Sequence, residues 1–274
     1  MKADEVDFVA EIARAAAGLE VDREKVYLIE SRLAPGARRE GFGSIREMLL
    51  SARQRREEKL LWAVVEAMAQ GETSFFRDPQ VFARIREEIL PQLALRRPEG
   101  QPIRIWSVGC GPGQEAYSLA LAVEEAGAAV LACGVDLLGS DLSERALEKA
   151  QAGVYTQFEI QRGLPIRQLV RHFEKRDELW TLSPRVRSML RWRRANLNAE
   201  VRGLGRFDLI LCRYVLPGMT AEARDRAMRQ LAAGLAPGGY LVLGLREAEE
   251  LAPEGLTRLD GGIHHLKPAT REAA

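Results

Sequence analysis

At 274 residues the chain is long enough for one large domain, or a modest one with an appendage. Its 40 basic and 39 acidic residues nearly cancel, which argues against nucleic acid or another polyanion as overall partner. No apolar run approaches the ~18 residues of a membrane helix, and Met1-Lys-Ala-Asp-Glu5 is too acidic to open a signal peptide, so a soluble cytoplasmic protein without direct membrane insertion is expected. Cys110, Cys133 and Cys212 lie in apolar contexts without metal-ligand spacing and read as reduced, buried thiols.

Residues 1–70 show helical periodicity and no strand alternation, which predicts a small all-α N-terminal domain. Phe8, Val9, Ile12 and Ala16 form one apolar face, with Gly18 as its stop. Val26, Tyr27, Ile29 and Leu33 form a second, expected to end near Ala34-Pro35-Gly36. Ser44 opens a third helix with Glu47 as its capping-box partner, and Glu57 to Met68 reads as a fourth. Residues 71–100 read as a linker and connecting helix. Within them, Gly71-Glu-Thr-Ser-Phe-Phe-Arg-Asp-Pro79 follows no simple period. Phe75 and Phe76 either tuck a linker into the core or wall a cofactor pocket, with Arg77 meeting a carboxylate. Gln80 to Leu95 reads as helix.

Residues 101–274 alternate strands and helices, the pattern of an α/β, Rossmann-like, mostly parallel sheet. Ile103 to Val108 is a short apolar strand that breaks into Gly109-Cys-Gly-Pro-Gly113 and leads into a helix from Glu115. Such a turn lets backbone approach a ligand, and the helix start favours an anion. It serves NAD, FAD and S-adenosylmethionine enzymes alike, and some turns that bind nothing. Asp141, 26 residues beyond Glu115, ends the second strand, where an acid can accept both ribose hydroxyls. It can also simply cap the following helix; with the glycine turn upstream, the nucleoside reading is preferred.

Residues 153–195 depart from strand–helix alternation and hold ten basic against four acidic residues, an excess of +6. This reads as a solvated basic face, or as an inserted segment that attracts an acidic partner. A strand is expected from Arg191 to Asn196, whose amide can meet an adenine edge. Phe207 to Cys212 reads as a strand buried on both faces, with Arg213 at its ligand-binding carboxyl end. A helix (221–235), a turn at Ala236-Pro-Gly-Gly239, a strand from Tyr240 and a last strand near His264-His265 follow, and the final residues are expected to fray.

Together these pieces resemble the chemotaxis receptor methyltransferases, the CheR family. The resemblance runs from Lys25-x-Tyr27 and Ser31-Arg-Leu33 to Leu235-x-Pro-Gly-Gly239. Its most specific motif, Thr73-Ser-Phe-Phe-Arg-Asp78, is close to the family's Asn-x-Thr-x-Phe-Phe-Arg. Gly109 to Ser118 is similar to its Gly-Cys-Ser-Thr-Gly-Glu-Glu-Pro-Tyr-Ser, and Ser140-Asp-Leu142, Asn196-Leu197 and Phe207-Asp-x-Ile-x-Cys-Arg213 fall at its remaining cofactor motifs. The resemblance implies a class I S-adenosylmethionine-dependent methyltransferase domain behind the helical one. The implied reaction esterifies glutamates on receptor cytoplasmic helices and releases S-adenosylhomocysteine. It implies that Thr73, Arg77, Glu115, Asp141, Asn196, Leu197, Arg213 and Tyr214 line the cofactor, and that Arg104 and Arg213 lie nearest the methyl transfer.

The chain departs from that family in places. Gly71 stands for an asparagine, and Gln114 and Ala116 for Glu and Pro. Tyr214 replaces the asparagine of Cys-Arg-Asn, and Leu216-Pro-Gly-Met219 replaces a Leu-Ile-Tyr-Phe-like run, deleting a tyrosine beside the reacting centre. A glutamate acceptor (reference pKa about 4.3) is ionised at neutral pH, so no general base, triad or metal is expected. The expected partner is a methyl-accepting receptor. The alternatives are another signalling protein with acidic helices, or a non-catalytic module that binds the cofactor or its product.

Overall fold

The computed structural model describes residues 1–69, 71–98, 100–251 and 253–267. The chain divides into two compact units: Met1–Gly71 with Asn196–Val201 and Val215–Met228, and Glu72–Ala195 with Arg202–Tyr214 and Arg229–Ala274.

In the first unit, α1 (Ala3–Ala17), α2 (Val26–Arg39), α3 (Ile45–Arg55) and α4 (Glu58–Ala69) pack around Val9, Leu33, Met48 and Val64, each fully buried. Gly18 ends α1 in the left-handed region (φ 65°), where a Cβ would lie 2.3 Å from Ala223 Cβ. Ser44 caps α3 by accepting from Glu47 N–H, while the Glu47 carboxylate reaches Gly43 N–H. The expected end of α2 at Pro35 is corrected: the helix runs on to Arg39. Pro35 removes one backbone donor, but its fixed φ is helical. The returning segments hydrogen-bond to the end of α1 through Thr220 N–H to Gly18 O (2.8 Å), with Glu20 N–H to Gly218 O (2.9 Å) alongside.

The second unit begins with α5 (Pro79–Arg84), a π-turn (Ile85–Ile89) and α6 (Leu90–Arg96) where one regular helix was expected. Pro91 cannot donate to Glu87 O and its ring would crowd that carbonyl. The turn before it widens, with Leu90 N–H reaching back to Ile85 O.

Next come β1 (Ile103–Val108), α7 (Gln114–Glu125), α8 (Ala128–Cys133), β2 (Val135–Asp141) and α9 (Glu144–Ala152). The segment beyond folds into a small antiparallel sheet of β3 (Val154–Thr156), β4 (Phe173–Arg176) and β5 (Leu179–Leu182), with α10 (Gln157–Gln161), α11 (Ile166–His172) and α12 (Pro184–Arg187). The chain then continues through β6 (Leu190–Arg194), β7 (Phe207–Cys212), α13 (Ala221–Ala233), β8 (Leu235–Leu243), α14 (Glu247–Glu250), β9 (Leu256–Arg258) and β10 (Ile263–Leu266).

The main sheet has the order β6-β2-β1-β7-β8-β10-β9. Its first five strands are parallel and β10 is antiparallel to both neighbours, so the mostly parallel α/β sheet is as expected. The order reverses on either side of β1, which makes the carboxyl ends of β1, β2 and β7 the switch point where ligands bind. Every residue of β7 is buried, as a central parallel strand requires.

Two expected strand ends shift. β6 stops at Arg194 rather than Asn196, and β8 already pairs Leu235 with Phe207 before residues 236–239 bulge out of the ladder. The expectation of fraying falls on residues 268–274, outside the described ones. Cys110 and Cys212 are buried thiols, but Cys133 is only half-buried, because its helix α8 is short and turns little surface inward.

Candidate functional site

At the end of β1 the backbone turns through Gly109 (φ 63°), Gly111 (φ 52°) and Gly113 (φ 94°) into α7. A Cβ on Gly113 would press on Ala150 Cβ at 2.9 Å, so only glycine fits the turn there. Thr73 sits beside the same turn: its Cγ2 would lie 3.8 Å from a Cβ on Gly111. Asp141, ending β2, accepts from Gly111 N–H through Oδ2 and from Ser143 N–H through Oδ1, both at 2.8 Å. The acid therefore ties the glycine turn to the next helix start. A carboxylate offers about four lone-pair sites, so an acid placed here can accept from more than two donors.

Arg213, just past β7, is fully buried at its side chain. Its guanidinium donates to Glu115 Oε2 (3.0 Å), to Arg77 O (2.9 Å) and to Asp78 Oδ2, while its Nε has no partner among the described residues. Glu115, in the first turn of α7, also accepts from Ser107 Oγ (3.4 Å). Burial raises the Glu115 pKa above its ordinary value, and the Arg213 guanidinium offsets part of that rise. A buried, charge-paired carboxylate at a sheet switch point can hold an ammonium group of a ligand.

The run before α5 divides its side chains. Phe75 is fully buried, edge-on to Tyr155 and Phe173, so it is a core residue. Phe76 packs on Phe82 and, with Pro79, Arg86, Pro165 and Gln168, lines a cavity of about 370 Å³. Arg77 donates through Nη1 to Glu72 O (3.0 Å) and lies over the Tyr214 ring. The Tyr214 hydroxyl donates to Asp78. Burial, then that bond, raises the Tyr214 pKa.

Thus Thr73, Arg77, Glu115, Asp141, Arg213 and Tyr214 all belong to the carboxyl edge of the second unit. Arg104 is not brought there. It is the second residue of β1, at the opposite end of the strand, and its guanidinium is committed to Asp136 Oδ2 (3.2 Å), Leu204 O (2.8 Å) and Arg206 O (2.7 Å) over the Phe207 ring. Asn196 and Leu197 belong to the first unit, where Asn196 Nδ2 donates to Ala16 O (2.7 Å) and its Oδ1 accepts from Asn198 N–H (3.0 Å); Leu197 is buried. Two acids that sequence reasoning passed over take part at the edge. Asp78 stood within the quoted motif but had no assigned role. Glu247 lies in Arg246-Glu-Ala-Glu-Glu250, a charge run that gave no signal, yet it is 1% exposed and accepts from Tyr214 N–H. Among the described residues no group of three His, Cys, Asp or Glu side chains could hold a metal, and no helix is long and apolar enough to cross a membrane.

The family profile described as "CheR methyltransferase, SAM binding domain" matches residues 71–258. Chemotaxis protein methyltransferase 1 of Pseudomonas aeruginosa is 36% identical, over 86% of this chain and 87% of that protein. Chemotaxis protein methyltransferase Cher2 of Pseudomonas putida is 33% identical over 87% and 88%, respectively. Chemotaxis protein methyltransferase 1 of Vibrio cholerae is 33% identical over 84% of each chain.

Proposed function

Because the chain belongs to the CheR methyltransferase family and carries that family's S-adenosylmethionine-binding domain, we propose that it methylates glutamate side chains on the cytoplasmic helices of chemoreceptors. The observation that carries this reading is the buried Arg213–Glu115 pair beside the glycine turn, at the switch point of the sheet. The residues present fit the cofactor. The turn leaves no side chain at Gly111 or Gly113, Asp141 stands beside it as a carboxylate acceptor suited to ribose hydroxyls, and the buried Arg213 Nε has no acceptor among the described residues. Glu115 would hold the amino group and Arg77 the carboxylate, by charge-assisted bonds. Thr73 would stand over the turn. The family pattern assigns Asn196 to the adenine side and Leu197 to the cofactor lining.

When bound, the cofactor supplies a methyl group whose C–S bond breaks as an acceptor oxygen forms the new C–O bond, the electron pair staying on sulfur. The chain's own residues then have three tasks: to seat the nucleoside, to fix the charged amino-acid end, and to exclude water from the buried Arg213 edge. The acceptor glutamate is already ionised at neutral pH, so no protein group need remove a proton. Alignment of the two reactants can supply up to ~7–11 kcal/mol of the barrier.

A second reading keeps this chemistry but directs it to another signalling protein with acidic helices. It is favoured by Leu216-Pro-Gly-Met219, a short turn that buries Leu216 and Met219 and exposes Pro217 and Gly218, in place of the family's aromatic run. Incubation with methyl-labelled cofactor and receptor cytoplasmic fragments tests both. Base-labile label on the fragments supports the first reading, and label on some other protein the second. Binding without transfer to any protein would reject both in favour of a sensing module. The cofactor assignment has its own check: Asp141→Ala should abolish S-adenosylhomocysteine binding in titration calorimetry, and wild-type affinity in that variant would overturn it.

A further inference from the structure

The departure at position 214 carries an inference that rests on the cofactor reading above. Tyr214 adopts φ 62°, in the left-handed region that bulky residues rarely occupy. Something must hold it there, and Glu247 does. The Glu247 Oε2 accepts from Tyr214 N–H at 2.8 Å and also from Gly244 N–H, tying together the residues that follow β7 and β8. Gly244 leaves room for the ring: a Cβ there would lie 3.0 Å from Tyr214 Cε1. The phenol hydroxyl reaches Asp78, which also receives Arg213.

Over the ring thus held lies Arg77, its guanidinium carbon 3.4 Å from the centroid. The residues on either side of Arg77 are themselves left-handed, Phe76 at φ 45° and Asp78 at φ 59°. Backbone and ring together fix where this guanidinium can be. A guanidinium lying on an aromatic face keeps its N–H groups pointing outward in its own plane; with Arg77 Nη1 donating to Glu72 O, the Nε–Nη2 edge is the one placed to match a planar carboxylate in bidentate fashion. The asparagine that the family carries here offers no such face.

We propose that Tyr214 is a positioning residue, clamped by Glu247, whose ring presets Arg77 for the carboxylate at the amino-acid end of the cofactor. The tyrosine acts through Arg77 and makes no contact with the reacting atoms. Its contribution therefore depends on whether the ligand has a carboxylate.

Titration calorimetry on wild type, Tyr214→Phe and Tyr214→Leu tests this with two ligands. One is S-adenosylhomocysteine. The other is 5′-methylthioadenosine, which keeps the nucleoside and lacks the amino-acid end. Tyr214→Phe should bind S-adenosylhomocysteine within about threefold of wild type, because the ring remains, whereas Tyr214→Leu should bind it about tenfold more weakly. Methylthioadenosine should bind all three within about twofold, since the stacked cation has nothing to meet on it. Parallel loss of both ligands in Tyr214→Leu would mean a merely structural tyrosine and overturn the proposal. So would wild-type affinity in Tyr214→Leu, or equal losses in Phe and Leu. If wild type itself fails to bind S-adenosylhomocysteine, the cofactor reading falls first, visibly before any variant is compared.

Discussion

Arg104 and Arg213 sit on neighbouring parallel strands but at opposite ends of them, one opening β1 and the other following β7. That difference of edge separates a structural arginine from one at the ligand side. Arg104 joins Arg191 on Asp136. Burial pushes the Asp136 carboxyl up, but the bonds from Arg191 and Arg104 outweigh it and hold its pKa below the ordinary 3.8. A depressed acid contributes stability that is full above its unfolded pKa and is lost as pH falls through the folded value. Asp136→Asn should therefore cost about 1–3 kcal/mol near neutral pH, and the penalty should shrink in acid, as urea unfolding across that range would show. Arg104→Gln should lower stability similarly while leaving S-adenosylhomocysteine affinity unchanged by calorimetry. At this scale the sequence was legible where spacing encodes geometry: Glu115 and Asp141 follow their strands at the offsets a nucleotide fold uses. Glu247 was illegible because its burial depends on the pairing of β7 with β8, which no local pattern announces.

Among elements, the run from Glu72 to Pro79 joins core to site. Phe75 plugs the core between Tyr155 and Phe173, and its neighbours aim at Arg213. The insert packs tightly behind it, since a Cβ on Gly163 would lie 2.1 Å from Phe75 O. Phe75→Ala should cost about 3–5 kcal/mol by denaturant unfolding, and weakened cofactor binding should accompany the loss. The paired aromatics were open to two readings because their spacing fits neither helix nor strand. In the fold Phe75 points inward, and Phe76 lines a cavity with Pro79 and Phe82. Periodicity placed the helices well, yet it could not foresee the π-turn before Pro91 or the bulge at residues 236–239. Both depend on where backbone hydrogen bonds go rather than on which side chains are apolar.

For the molecule as a whole, net charge was a poor guide to the insert. Of the arginines that give its excess, Arg162 pairs with Glu72, Arg185 with Glu124 and Arg191 with Asp136, so part of the apparent basic face is neutralised by acids outside the segment. Composition counts charge along the chain, while folding assigns partners across it. The class of fold was legible from strand–helix alternation. The return of 196–201 and 215–228 to the N-terminal unit was not, because it rests on asparagine amides donating to carbonyls at the end of α1 in the first case and on backbone bonds there in the second. A ligand that binds only the folded form adds stability by mass action. S-adenosylhomocysteine at a hundred times its dissociation constant should therefore add about 2.7 kcal/mol to the unfolding free energy, with a matching rise in melting temperature in calorimetry.

The three cysteine thiols lead to a practical end. Burial pushes the Cys110 and Cys212 thiols well above their ordinary pKa, whereas Cys133 is half-buried, its Sγ donating to Gln101 O, and stays within reach of reagent. A maleimide dye added to the native protein should couple once per molecule, at residue 133, as peptide mass mapping would show. The unmutated chain would thus carry its own attachment point for fluorescence.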